Sequence, residues 1–308
     1  MTLDIGWGKI ILLGEHAVVY GYPALAAALD RGVALSLVPT PAGGPLRLDI
    51  PSWELRVAAP KFFDSSDEHP AARGLAAIAD ALGAGRPSVS LVGEAQIPHG
   101  AGLGSSAALA VAIARSLARH LRLVADPATI GAAANASEAI FHGTPSGFDV
   151  ALAIAGGIGV YRKSSGLRAI VAPPIRVIVG LSGAPRSTAT MVARVAEVTG
   201  GKADDRRLRE LAALTDTGTT ALLGKNPAML GEAMDRAHVL LGELGVSTPQ
   251  LDLLCDAART AGANGAKLTG AGGGGAVIAL APRDREAAVL AAWKASGVGG
   301  FVATIGGS

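Results

Sequence analysis

The chain has 308 residues, half of them hydrophobic but only 4% aromatic, and a formal net charge of +2 from 27 Lys and Arg against 25 Asp and Glu. It shows no basic run with interleaved aromatics, which argues against single-stranded nucleic acid as a partner. Its longest apolar runs, such as Ala107 to Ala114, fall far short of the ~18 residues that span a membrane; Cys255 is the only cysteine, so no internal disulfide can form and a cytoplasmic location is expected.

A chain of this length is long for a single core, so two domains are expected. Lys9 to Leu13 reads as a buried strand, followed by the ionisable pair Glu15-His16. Ala17 to Tyr20 leads through Gly21-Tyr22-Pro23 into an apolar segment ending near Leu29. Val33 to Val38, Leu46 to Ile50 and Trp53 to Val57 carry strand character and suggest a meander or sheet edge. Residues 60–69 read as a loop, Ala71 to Leu82 as a helix and Val89 to Val92 as a strand.

Next comes Pro98-His99-Gly100-Ala101-Gly102-Leu103-Gly104-Ser105-Ser106, running into an alanine-rich helix pattern that ends near Leu121. Three glycines at alternate positions let backbone N–H groups converge on an anion, and the helix entry adds unpaired donors and a positive dipole end; the competing reading is a plain loop, and Ser105 is in either case the expected helix cap. It is not a Walker loop, because no Gly-Lys-Ser/Thr follows the glycines. Asp126-Pro127 starts a further helix that carries Glu138 and ends near His142. The stretch His142 to Asp149 reads only as a loop that deposits a carboxylate, and Gly156 to Tyr161 as a strand.

Polar residues and Pro173-Pro174 interrupt the pattern between Lys163 and Pro174, which suggests a domain boundary near residue 170. Ile175 to Gly180 opens the second half as a strand, and helical segments follow over 187–198, 204–223 and 226–242. Thr248-Pro249 is another helix start. Lys267 to Gly275 forms a second glycine cluster before the strand Ala276 to Leu280; a helix over 283–295 and the strand Phe301 to Ile305 close the chain.

Six histidines without paired spacing, and no cysteine pair, set zinc aside. GLGSSAA is not the Gly-x-Ser-x-Gly elbow of a serine hydrolase. Two glycine loops, a lysine beside a buried strand and two carboxylates flanking a turn fit phosphoryl transfer better.

Three stretches together resemble the GHMP kinase superfamily: KIILLGEHAVVYGYPALA its first motif, PHGAGLGSSAA its second and KLTGAGGGG its third. Within it the mevalonate kinase group is the most similar, through GEHAVVYGYPA, HGTPSGFD, PRSTATMV and LGVSTPQLDLLCDAARTAGANGAKLTGAGGGG. The chain departs from the family pattern at Gly6-Trp7-Gly8, where proline-glycine usually precedes the lysine, and at Ala276, where cysteine often ends the third loop.

The resemblance implies an α+β fold of two domains: a nucleotide-binding domain over residues 1–170 and a ferredoxin-like domain over 171–308, with the active site in the cleft between them. It implies ATP and Mg²⁺ as cofactors and mevalonate as the small-molecule substrate, without nucleic acid or membrane; it leaves homodimerisation open. Asp149 would be the base facing the acceptor hydroxyl, with Lys9 paired to it, and Ser106 with Glu138 would hold Mg²⁺. Pro98, Gly100, Ala101, Gly102, Leu103, Gly104, Ser105 and Ser106 would wrap the nucleotide phosphates, with Gly270, Gly272 and Gly273 closing the site. Glu15, His16, Ser146, Gly147 and Thr188 would line the acceptor pocket. A silent binding relative should have lost Lys9, Glu138 or Asp149, and all three are present.

Overall fold

The computed structural model describes residues 3–59, 69–142, 147–184 and 187–306. The loop expected over 60–69 therefore falls almost wholly outside the described residues. The chain divides into two compact units interleaved along the sequence. One takes Met1–Gly8, Arg31–His99 and Gly104–Ala155; the other takes Lys9–Asp30, Gly100–Leu103 and Gly156–Ser308. Strands β1 (Asp4–Leu13) and β2 (Ala24–Pro39) each start in one unit and finish in the other.

In the first unit the end of β2 pairs antiparallel with β5 (Val89–Ala95), from Val33 opposite Ala95 to Pro39 opposite Val89. Strand β3 (Arg47–Ile50) runs parallel to β5 and antiparallel to β4 (Leu55–Ala58). The parallel pair means that these strands do not form a meander; β4 and β3 lie instead at a sheet edge, the other arrangement expected. Trp53 lies in a 3-10 turn, Pro51–Trp53, rather than in a strand, because proline in the first position favours a turn. β2 is one continuous strand where two segments are expected. Asp30 is exposed and Arg31 half-buried, so the charged break in its pattern marks a change of exposure while the strand continues.

Helices α1 (Pro70–Ala81), α2 (Ser105–His120), α3 (Pro127–His142) and α4 (Phe148–Ala155) pack against one another in this unit. Alanine is the best helix former and brings no bulk, so α2 can bury every residue from Ala107 to Ala114. Arg119 and His120 in its last turn complement the negative dipole end. The approach of β1 is close enough that a Cβ on Gly6 would stand 2.0 Å from the Ala108 carbonyl oxygen. Only glycine fits there, which accounts for one member of the unusual Gly6-Trp7-Gly8 run.

In the second unit, β8 (Ile175–Leu181) lies between β11 (Gly300–Ile305) and β10 (Ala276–Leu280), and β9 (Gly265–Thr269) pairs with β10. All three pairings are antiparallel, and the order β11-β8-β10-β9 is the ferredoxin-like arrangement. Helices α5 (Thr188–Thr199), α6 (Arg206–Leu223), α7 (Pro227–Glu243), α8 (Pro249–Thr260) and α9 (Glu286–Ala295) complete it. Ser187, Asp205, Asn226 and Thr248 cap α5 to α8 by accepting a hydrogen bond from an early helix N–H. β9 and β10 are buried along their whole length, with α7 and α8 packed on β9.

The beginning of β2 pairs with β6 (Ile158–Arg162), which forms a hairpin with β7 (Gly166–Ile170). β7 occupies the polar stretch between Lys163 and Pro174; its half-exposed setting gives it no apolar run to read. Among the described residues no helix is long and apolar enough to cross a membrane.

Candidate functional site

Each unit holds its own group of the expected residues. In the first, α2 starts at Ser105 directly after Gly104, whose φ of 72° is left-handed and which makes no side-chain cap. The first helical bond runs from the Ala108 N–H to the Gly104 carbonyl at 2.9 Å. The N–H groups of Ser105, Ser106 and Ala107 therefore have no partner within the helix and sit at its positive end. Ser105, expected to cap the helix, is instead its first residue and is buried. A hydroxyl caps from the position before the helix, and glycine holds that position here.

One residue further on, Ser106 Oγ donates to Glu138 Oε2 at 3.3 Å. Glu138 comes from α3 and is buried. A hydroxyl and a carboxylate are hard oxygen donors, and Mg²⁺ binds through one or two carboxylates with phosphates and water completing its shell. The pair fits that cation, and among the described residues no cluster of three His, Cys, Asp or Glu offers another metal site. Asp149 follows Gly147 and lies in the first turn of α4, which packs against both α2 and α3. The turn-rich sequence before it hides this helix start, where the dipole favours a carboxylate. Ser146 lies outside the described residues.

In the second unit, the Lys9 N–H donates to the Leu103 carbonyl at 2.8 Å, so Gly100–Leu103 of the glycine loop is tied to β1. Gly100 and Gly102 hold φ of 75° and 85°. Lys9 is only 5% exposed. At the end of β1, Glu15 and His16 are buried, where solvated turn residues are the ordinary expectation. Glu15 is ion-paired with Lys267, in the middle of β9. The Lys267 Nζ also donates to the Leu268 carbonyl at 2.6 Å. Burial raises the Glu15 carboxyl above its ordinary value, opposed by Lys267 and then Lys9. Burial likewise lowers the Lys267 ammonium, opposed by Glu15.

His16 adopts a left-handed φ of 60°. Its Nε2 lies 2.8 Å from the Ala271 carbonyl, which can only accept, so the proton resides on Nε2. Thr269 Oγ1 accepts from the Ile11 N–H at 2.9 Å and donates to the Ile11 carbonyl at 3.0 Å. The loop that follows keeps φ positive at Gly270, Gly272, Gly273, Gly274 and Gly275. A Cβ on Gly272 would stand 2.2 Å from the Val246 carbonyl oxygen, which also accepts from the Gly273 N–H at 2.8 Å. Thr188 begins α5 and is exposed. A shallow cavity of about 520 Å³ on α7 and α8, lined by Asp235, Arg236, His238, Asp252, Asp256 and Arg259, includes none of the expected residues.

Sequence reasoning missed Lys267 as the partner of Glu15. Its signal was a single charge in the short strand before a glycine cluster.

Residues 70–157 match the family described as GHMP kinases N terminal domain, and residues 219–299 that described as GHMP kinases C terminal. The mevalonate kinase of Thermococcus sibiricus is 34% identical over 309 residues, covering 94% of this chain and 91% of the relative. That of Methanothermobacter thermautotrophicus is 35% identical over 294 residues, covering 93% of each. Among solved structures, L. major mevalonate kinase in complex with R-mevalonate superposes with a TM-score of 0.84 at 28% identity, covering 100% of this chain and 97% of that one. The Methanococcus jannaschii mevalonate kinase gives 0.85 at 25% identity, covering 100% and 98%.

Proposed function

The chain belongs to the GHMP kinases, and from that premise we propose that it transfers the terminal phosphoryl group of ATP to the 5-hydroxyl of mevalonate, giving 5-phosphomevalonate and ADP. The observation that carries the acceptor is the likeness to mevalonate kinases, at 34% identity over 94% of this chain.

The N–H groups that open α2, with the glycines before them, bind the nucleotide phosphates; Gly270 and Gly272 add backbone donors, while Gly273, whose N–H donates to the Val246 carbonyl, fixes the loop. Ser106 and Glu138 hold Mg²⁺, which when bound screens the phosphate charge. Lys9 carries positive charge to the transferring phosphoryl group, and Asp149 orients the acceptor hydroxyl. Glu15, His16, Gly147 and Thr188 line the acceptor pocket.

A magnitude sets the order of events. An alcohol about as weakly acidic as water (~16) and a carboxylate near ~4 differ by roughly 12 units, or ~16 kcal/mol. That equals the whole barrier of an enzyme turning over ~10 times a second. Unless Lys9 and a bound Mg²⁺ greatly acidify the alcohol, the proton therefore leaves late, after the phosphorus–oxygen bond has begun to form, as a loose transition state permits.

The test is ADP release measured with ATP and, in turn, mevalonate, phosphomevalonate, homoserine, galactose or no acceptor. Release with mevalonate above all others is expected. Release only with another acceptor reassigns the substrate, and nucleotide binding without release turns the chain into a sensor.

A further inference from the structure

Lys267 has no exposed surface, and its partner Glu15 is 1% exposed. Withdrawing two charges from water is costly, and apolar side chains of similar volume commonly hold two elements together at least as well. Stability alone therefore gives no reason for an ion pair here. A second observation points outward from the pair: Glu15 Oε2 is buried and has no hydrogen-bond partner among the described residues. One oxygen is taken by Lys267 while the other remains an acceptor in want of a donor. Such an orphan is costly unless a ligand or water completes it.

The surroundings are built for placement. Lys267 lies two residues before Thr269, whose hydroxyl clasps Ile11, and four before Ala271, whose carbonyl receives His16. These three side-chain ties join the end of β1, the strand that bears Lys9, to β9 and its glycine loop. The charged groups acting on Glu15 are Lys267 from β9 and Lys9 from β1, the strand before it. On Lys267 it is Glu15, with the neutral Cys255 thiol of α8 also facing it, while His238 from α7 feels the Lys267 charge.

We propose that Lys267 is a positioning residue for phosphoryl transfer: it holds Glu15 as an anion whose Oε2 accepts a hydrogen bond from a hydroxyl of the acceptor, and it locks the Glu15-His16 turn to the third glycine loop. The inference rests on the kinase reading above and goes beyond it by assigning a residue that touches neither phosphate nor acceptor.

The test compares wild type, Lys267→Met and the double variant Glu15→Gln/Lys267→Met, with folding checked by circular dichroism and melting. In Lys267→Met, kcat/KM for mevalonate is expected to fall about 100-fold, the scale of a small misplacement of reacting groups. KM for ATP stays within about threefold, since the Thr269–Ile11 and His16–Ala271 bonds still hold the glycine loop. The residual activity climbs with rising pH more steeply than that of wild type, because burial without the opposing cation pushes the Glu15 carboxyl further up. The double variant stays slow but loses the climb, since glutamine does not titrate. Wild-type kcat/KM and pH profile in either folded variant overturn the proposal, whatever the melting temperature. Should Lys267→Met not fold, the double variant decides by its rate alone, and its own failure to fold also overturns the proposal by making the pair a requirement of folding. Wild type inactive with mevalonate and ATP overturns the kinase reading instead.

Discussion

Asp149 and Ser106 make the sharpest predictions at the scale of single residues. If Asp149 accepts the proton late, Asp149→Asn removes the acceptor while keeping the shape. We expect kcat to fall about 10³-fold, within the usual range for general-base removal, with KM for ATP nearly unchanged. Steady-state kinetics check it, and a variant at wild-type turnover removes Asp149 from the mechanism. Ser106→Ala deletes one oxygen of the donor pair with Glu138. The Mg²⁺ concentration for half-maximal rate should rise about 10-fold or more, read by titrating Mg²⁺ at saturating ATP. An unmoved midpoint would return Ser106 to a purely structural place in α2. Both residues were legible as chemical types because each stands beside glycines at an element's end, where backbone constraint is written in local sequence. The burial of Glu15 was not: a Glu-His pair after a strand looks the same in water as in a core.

At the scale of elements, close approach sets the composition. Gly6 is pressed against the backbone of α2, with the Ala108 oxygen 2.0 Å from where a Cβ would stand. Gly6→Ala should therefore cost about 1–3 kcal/mol as β1 is pushed off the helix, seen as a lower urea midpoint. A midpoint equal to wild type would mean that the strand moves freely. Cys255 lies on the core face of α8, where burial pushes its thiol up to about 12. It should resist iodoacetamide at pH 8 in the native protein and react once unfolded; rapid native labelling would contradict a closed α8 packing. Helices α1, α3 and α5 to α9 were readable because caps and apolar periodicity are local. The start of α4 was not, since Gly147 and its neighbours resemble any turn. Nor was β7, whose residues are half-buried or exposed and leave no alternating pattern.

At the scale of the whole molecule, buried titratable groups couple stability to pH. Burial holds the His238 imidazole below its ordinary value, with Asp252 opposing. The unfolded chain binds a proton that the native state refuses, so stability is full above the ordinary histidine value of ~6.5 and declines as pH falls toward the lower native value. Urea unfolding at pH 7.5 and 5.5 should show the lower midpoint at 5.5, with a smaller drop in His238→Asn. An equal drop in both would assign the effect to other groups. The sequence by itself determined the glycine loops, most helices and the family, because turn chemistry, helix periodicity and motif order are all properties of near neighbours. Only the tertiary structure decided that Lys267 meets Glu15 across 252 residues, and that β1 and β2 are shared between interleaved units. Those outcomes depend on which distant surfaces exclude water together, and no local pattern records that.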